Sequence, residues 1–77
     1  MIKKGIGADL RRIRLEKGFT FEALAHNADL GTTFLKEIEA GKKQPSVTTL
    51  FKLSLALGTT PDQLILPTYL QWRSKQE

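Results

Sequence analysis

Apolar residues recur along this chain at helical spacing, and no stretch shows the sustained alternation of a half-buried strand. Ile6, Leu10 and Ile13 fall on one line, while Arg11, Arg12, Glu16 and Lys17 fall off it, which predicts an amphipathic helix over residues 7–17. Gly18 follows as a residue suited to ending that helix in a left-handed conformation. Thr20 is a good N-cap, and Phe19 and Leu24 have the spacing of a hydrophobic staple around it, so a second helix is predicted over 21–27. After the turn Ala28-Asp29-Leu30-Gly31, Leu30 and Leu35 repeat the staple around Gly31. Leu35 and Ile38 then give a third helix, over 32–40, its buried side, and Gly41 ends it.

Lys42-Lys43-Gln44-Pro45 reads as a loop. Ser46 caps a fourth helix over 47–57, with Val47, Leu50, Leu53, Ala56 and Leu57 as its apolar face and Gly58 as its stop. Thr60-Pro61-Asp62-Gln63 is a start signal: a Thr cap, Pro at the first helical position, an acid near the positive helix end, and Gln placed to complete a capping box. The fifth helix it opens is expected to be short, carrying Leu64 and Ile65, with Pro67 stopping it or starting another. The stretch TYLQWRSKQE has no assignable pattern. These elements predict one all-α, compact five-helix domain over residues 1–77, with its core in 6–66 and a C-terminal tail at 67–77.

The second and third helices carry a finer pattern. Two helices joined by a short turn cross steeply when a small residue lies early in the first, a residue tolerant of positive φ sits in the turn, and apolar residues flank it. Counting from Phe21 as one, Leu24 is at four, Ala25 at five, Leu30 at ten, Leu35 at fifteen and Ile38 at eighteen, the positions a helix-turn-helix requires.

Composition narrows what such a scaffold can serve. The 77 residues carry 12 Lys+Arg against 8 Asp+Glu, a formal net charge of +4, which suits a polyanion partner. There is no cysteine and His26 is the only histidine, so disulfides and thiolate or histidine-rich metal sites are excluded, and no cofactor is expected. No apolar run approaches the roughly 20 residues that span a membrane, and MIKKGIGADLRR has no apolar stretch of the kind a secretory leader carries. A nucleophile–base set, paired carboxylates in an apolar setting and a glycine-rich phosphate loop are all lacking, so an enzyme is not expected.

Arg14-x-x-x-Gly18-Phe19-Thr20, then Leu24-Ala25, Ile38-Glu39-x-Gly41, Pro45-Ser46 and a Leu-rich helix ending Leu57-Gly58 together resemble the phage repressor/Cro (XRE-type) helix-turn-helix family, over about residues 6–66. The resemblance implies a lambda-repressor-like five-helix fold and a transcriptional regulator of the repressor or controller type. It further implies a homodimer on operator double-stranded DNA, with the third helix in the major groove. The small single-domain members include Cro-like phage regulators, restriction–modification controllers and some antitoxins. It also implies a structural ion pair between Arg14 and Glu39. Two residues depart from the pattern: Phe21 stands where a phosphate-clamping Gln is common, and Asp29 where Gly is common in the turn.

On that scaffold the first turn and exposed stripe of the third helix would reach base edges. Thr32 and Thr33 offer hydroxyls and methyls, Glu37 an acceptor for a cytosine amino group, and Lys36 a donor for guanine or phosphate. Thr20, Lys42, Lys43 and Ser46 are candidates for phosphate contacts at the rim. By spacing, Phe34 also falls on the exposed stripe. Leu64, Ile65, Tyr69, Leu70 and Trp72 exceed what a short helix can bury and are read as a dimer interface. The alternative function is a protein-interaction or antitoxin-type module with weak or no DNA binding of its own, motivated by Phe21, Phe34 and the apolar tail. A DNA-binding regulator of this kind is expected in the cytoplasm, nucleoid-associated.

Overall fold

The computed structural model describes residues 5–76, so the N-terminal tetrapeptide of the leader argument and Glu77 of the tail lie outside the described residues. Five helices and no strand occur among them: α1 (Gly5–Glu16), α2 (Phe21–Asn27), α3 (Thr32–Glu39), α4 (Val47–Leu57) and α5 (Pro61–Ser74). They enclose one core made of Leu10, Ile13, Leu24, Ala25, Ala28, Leu35, Ile38, Leu50, Leu53, Leu57 and Leu64. Every helix contributes to it, so none buries its apolar face without the others.

The ends of α1 to α4 share one device. After α2, Asp29 N–H donates to the His26 carbonyl and Leu30 N–H to the Ala25 carbonyl, at 3.2 and 2.9 Å. After α3, Gly41 N–H donates to Ile38 and Lys42 N–H to Glu37, at 3.0 and 2.9 Å. These are Schellman closures, which satisfy carbonyls orphaned at a helix end by turning one residue left-handed. The turned residues are Asp29 (φ 55°) and Gly41 (φ 78°). Asp29 is the one non-glycine residue with positive φ among those described, a conformation that Asp tolerates better than most side chains. The same pair of bonds closes α1 at Gly18 and α4 at Gly58. At the other ends, Thr20 Oγ1 accepts from Ala23 N–H at 3.0 Å and Ser46 Oγ from Thr49 N–H at 3.1 Å.

Two contacts fix α1 against α3. Gly7 is buried where the helices cross, and a Cβ there would run into the Ile38 carbonyl oxygen and lie 2.8 Å from that of Glu39. Two turns along α1 from Gly7, Arg14 meets Glu39, with side chains 5% and 4% exposed. Arg14 Nε donates to Glu39 Oε2 at 2.7 Å and Nη2 to Oε1 at 3.2 Å, while Nη1 donates to the Phe19 carbonyl at 2.8 Å. The guanidinium therefore joins α1, α3 and the α1–α2 connection, and the ring of Phe21 lies 4.0 Å from its Cζ. No buried side-chain polar atom lacks a partner among the described residues; Ser54, the remaining buried polar residue, donates to the Leu50 carbonyl at 2.7 Å.

Several expectations are corrected. The fifth helix is not short: it runs for 14 residues straight through Pro67. Proline in a helix interior costs about 3 kcal/mol, and long-range contact offsets that cost here. The far half of α5 packs on the start of α1, where Thr68 Oγ1 donates to Asp9 Oδ2 at 3.1 Å and Ile65 packs against the core. Pro67 and Thr68 are half-buried there, while residues 69–76 continue the helix and its end in exposed positions. Leu64, assigned to a dimer interface, is fully buried in the monomer core and is not available to a partner. The Thr60–Gln63 capping box does not form. Thr60 accepts no cap bond through its side chain, and Gln63 reaches Asp62 Oδ2 at 3.5 Å. The Thr60 hydroxyl instead holds the Asp62 carboxyl below its ordinary value. Val47, placed on the apolar face of α4, is exposed, because the buried side is centred on Leu50, Leu53, Ser54 and Leu57.

Two stability outcomes follow. Gly7→Ala should destabilise by about 1–3 kcal/mol, because the added methyl meets backbone that cannot swing away. A lower urea midpoint at unchanged slope would show it, and an unchanged midpoint would refute the tight crossing. Arg14→Ala or Glu39→Ala should each cost about 3–5 kcal/mol by stranding a buried charge, whereas Arg14→Met with Glu39→Met should lose far less than the sum. A double-mutant cycle in urea tests this, and additive losses would argue against the pair.

Candidate nucleic-acid interface

The α2–turn–α3 unit is held from inside by Leu24, Ala25 and Ala28 on α2 and its end, and by Leu35 and Ile38 on α3, all buried. Leu30 packs half-buried against the same core, opposite Gly31, which is the extended N-cap of α3. With Leu35, Ile38 and Glu39 turned inward, helical periodicity sets the outward face of α3. Thr33 lies nearest its centre, with Ala40 and Glu37 on either side of it. Thr32 and Lys36 lie on the flank towards α1, and Glu37 on the opposite flank.

The predicted base-contact residues therefore share one surface but not one environment. Thr33 is exposed and Thr32 half-buried, and neither hydroxyl makes a side-chain hydrogen bond among the described residues. Glu37 lies 3.9 Å from the Lys43 ammonium, a loose pair that is worth at most about 1 kcal/mol at a surface. Lys36 points its ammonium towards the Phe21 ring, 5.6 Å from its centre. Phe34 does not stand on the exposed stripe: it is half-buried against the core, as is Phe21.

The four rim candidates are all exposed. Thr20 caps α2. Lys42 and Lys43 follow α3 directly, and their amide groups are held by the Glu37 carbonyl. Ser46 begins α4, and its hydroxyl is shared with Thr49 Oγ1 at 3.0 Å. The caps spend a lone pair of Thr20 and Ser46 on backbone amides; the Thr20 hydroxyl hydrogen stays able to donate elsewhere, whereas that of Ser46 is given to Thr49 Oγ1. His26 is exposed on α2.

Two further features shape this surface. Ala40 is exposed beside Thr33 on the outward face, where its side chain adds little bulk. On the α1 side, a groove of about 720 Å³ is lined by Ala8, Arg11, Leu15, Phe21, Lys36 and Ala40, with Arg12 and Glu39 at its edges. The helical spacing of Arg11 marked it as solvent-facing. Only the packing of α1 against α3 brings it beside the outward face. No cluster of three or more metal-ligating side chains occurs among the described residues, and no helix among them is long and apolar enough to cross a membrane.

This geometry is that of a helix-turn-helix domain with an outward-facing second helix. Comparison with known proteins agrees: a helix-turn-helix family model matches residues 10–64. An uncharacterised HTH-type transcriptional regulator, y4dJ of Sinorhizobium fredii, is 34% identical over 67 residues, 87% of each chain. The control protein C.BamHI of Bacillus amyloliquefaciens is 38% identical over 60 residues, 77% of this chain and 74% of that one. Among solved structures, the restriction–modification controller protein C.AhdI of Aeromonas hydrophila superposes with a TM-score of 0.76 at 32% identity, over 78% of this chain and 91% of that one. The chain belongs to the XRE-type helix-turn-helix family. These relatives are named as regulators and controllers, not as enzymes.

Proposed function

We propose that this chain controls transcription by binding operator DNA as a homodimer, with α3 of each protomer in the major groove. The chain is a DNA-binding transcription regulator of the helix-turn-helix type. The observation that carries the finer reading is the outward face of α3. Exposed Thr33 and Ala40 stand between Lys36 on one flank and Glu37, loosely paired with Lys43, on the other, and exposed Lys42 follows directly after the helix. That arrangement suits duplex DNA: hydrogen-bonding and methyl groups that can meet base edges, and positive charge where the phosphate strands pass.

In this reading Thr32, Thr33 and Glu37 contact bases, while Thr20, Lys42, Lys43 and Ser46 contact phosphates. Lys36 lies on the boundary between the two sets. Homodimerisation draws on a second observation. Val47, Phe51 and Leu55 on α4, and Leu66, Tyr69, Leu70 and Trp72 on α5, are large apolar side chains left exposed, Leu55 by as much as 85%. Apolar exposure of this kind marks interaction surfaces. A two-fold pair would set two α3 helices about 34 Å apart, one turn of duplex. The same surface would serve a different protein partner in an antitoxin-type module. A regulator acting on operator DNA works in the cytoplasm.

Selection from random duplexes with the purified chain, at two salt concentrations, tests the reading. One recovered motif with two-fold symmetry and binding that weakens steeply with salt are expected; equal binding to all duplexes would overturn sequence-specific readout. Thr33→Ala should relax preference at one position per half-site, by about 1–3 kcal/mol of discrimination. Lys43→Ala should weaken all sequences about equally and lower the salt slope by about one per protomer. For assembly, Leu55→Glu should shift the sedimentation coefficient from dimer to monomer while the helical CD signal persists. A wild-type chain that is monomeric at micromolar concentration and shows no sequence preference would favour the protein-partner reading.

A further inference from the structure

The α1–α3 groove has a charge pattern that the reading above does not use. Three cationic side chains line it: Arg11, Arg12 and Lys36. Arg12 is already engaged, 3.6 Å from Asp9 Oδ1 and 3.3 Å from Glu16 Oε2. The carboxylate of Glu39, the acidic side chain at the groove, is taken on both oxygens by Arg14. Glu37 faces the other flank of α3, beside Lys43. Arg11 and Lys36 thus make no ion pair among the described residues, and they share one groove. Phe21 forms an apolar wall there, with its ring 5.6 Å from the Lys36 ammonium. A ring face attracts a cation at that range and keeps the side chain on the α1 side of the helix. Two unpaired like charges lining one groove with an apolar wall favour an anion there.

The position of the groove selects the anion. Lys36 and Ala40 belong both to its lining and to the outward face of α3. When Thr33 and Ala40 enter a major groove, the phosphate strand on that flank passes along α1. Phe21, at the start of α2, can donate nothing to it, since a phenyl ring carries no hydrogen-bond donor. We infer that Arg11, with Lys36 braced by Phe21, forms a phosphate clamp on the α1 side of the recognition helix, supplying the anchor that Phe21 cannot. Arg11 suits the task because its planar fork can hold two phosphate oxygens at once.

The inference rests on the DNA-binding reading, and the test separates the two. The wild-type chain, Arg11→Gln and Arg11→Lys are titrated with the selected operator duplex and with an unrelated duplex, from about 0.05 to about 0.3 M salt. Arg11→Gln should lower the slope of log affinity against log salt by about 0.9 per protomer. It should weaken both duplexes alike, roughly fivefold per protomer near 0.15 M. Arg11→Lys should restore the slope. A parallel set of operators carries one neutral methylphosphonate per half-site at successive positions. At one position the substitution should weaken the wild-type chain while leaving Arg11→Gln unaffected, a coupling that a merely structural role for Arg11 would not produce. Coincident slopes for wild type and Arg11→Gln, or no position with that coupling, would overturn the clamp and leave the DNA reading standing. A wild-type chain that binds no duplex would overturn both.

Discussion

The geometry of this domain depends on the buried pairing of Arg14 with Glu39. Charges removed from water are costly to hold, and a buried pair is tolerable only when every donor and acceptor finds a partner. Here the fork of Arg14 spends Nε and Nη2 on both carboxylate oxygens and Nη1 on the Phe19 carbonyl. The arrangement is directional in a way that apolar packing is not. Leucines at the same crossing would fill the space and permit α3 to roll about its axis. Glu39 permits one rotation, and that rotation sends Thr33 and Ala40 outward. Gly7 complements it by letting the two backbones approach, so one contact fixes the separation of α1 and α3 and the other fixes their relative turn. A recognition surface is useful only if its orientation is specified, which makes a device costly in stability reasonable here.

Most of the local architecture was legible in the sequence because it is written in punctuation. Thr20, Gly31, Ser46 and Gly58 act at the positions where their chemistry suggests, and α2 and α4 span the predicted residues. Asp29 takes the left-handed turn that its side chain tolerates. What was not legible depends on residues far apart in the chain. Nothing adjacent to Gly7 announces that the α3 carbonyls will lie against it. Pro67 is a helix breaker by local rules, and only the packing of α5 on α1, with Thr68 held by Asp9, carries the helix past it. Leu64 looked like surplus apolar surface because a short fifth helix had been expected; in a long, docked helix the same residue faces the core. The site divides the same way. The stripe of α3 follows from periodicity, whereas the flank on which each cation lies follows from which helix packs beside it.

That division bears on how affinity and discrimination are apportioned. The outward face of α3 carries a hydroxyl and methyl groups at Thr33 and Ala40, while its cations stand at the borders. Salt-sensitive attraction to a phosphate lattice can then be set at the borders with little effect on which base is preferred at the centre. Glu37 is the exception, a carboxylate facing a polyanion. Its pairing with Lys43, loose at 3.9 Å, lessens that repulsion without taking up both carboxylate oxygens as a forked Arg would.

Phe21 shows how one substitution can be absorbed by its surroundings. In place of a side chain that would reach outward, the chain carries a ring packed half-buried between the core and two cations, Arg14 at 4.0 Å and Lys36 at 5.6 Å. The ring covers the exposed edge of the Arg14–Glu39 pair and so strengthens the contact on which the orientation of α3 depends. The same ring draws Lys36 towards α1, away from the centre of the reading face. A residue that removes one polar contact thereby stiffens the scaffold and relocates a positive charge. The helix-turn-helix frame accommodates that exchange because the ring packs against the same core that holds Leu24, Ala25, Leu35 and Ile38, all of which stay buried.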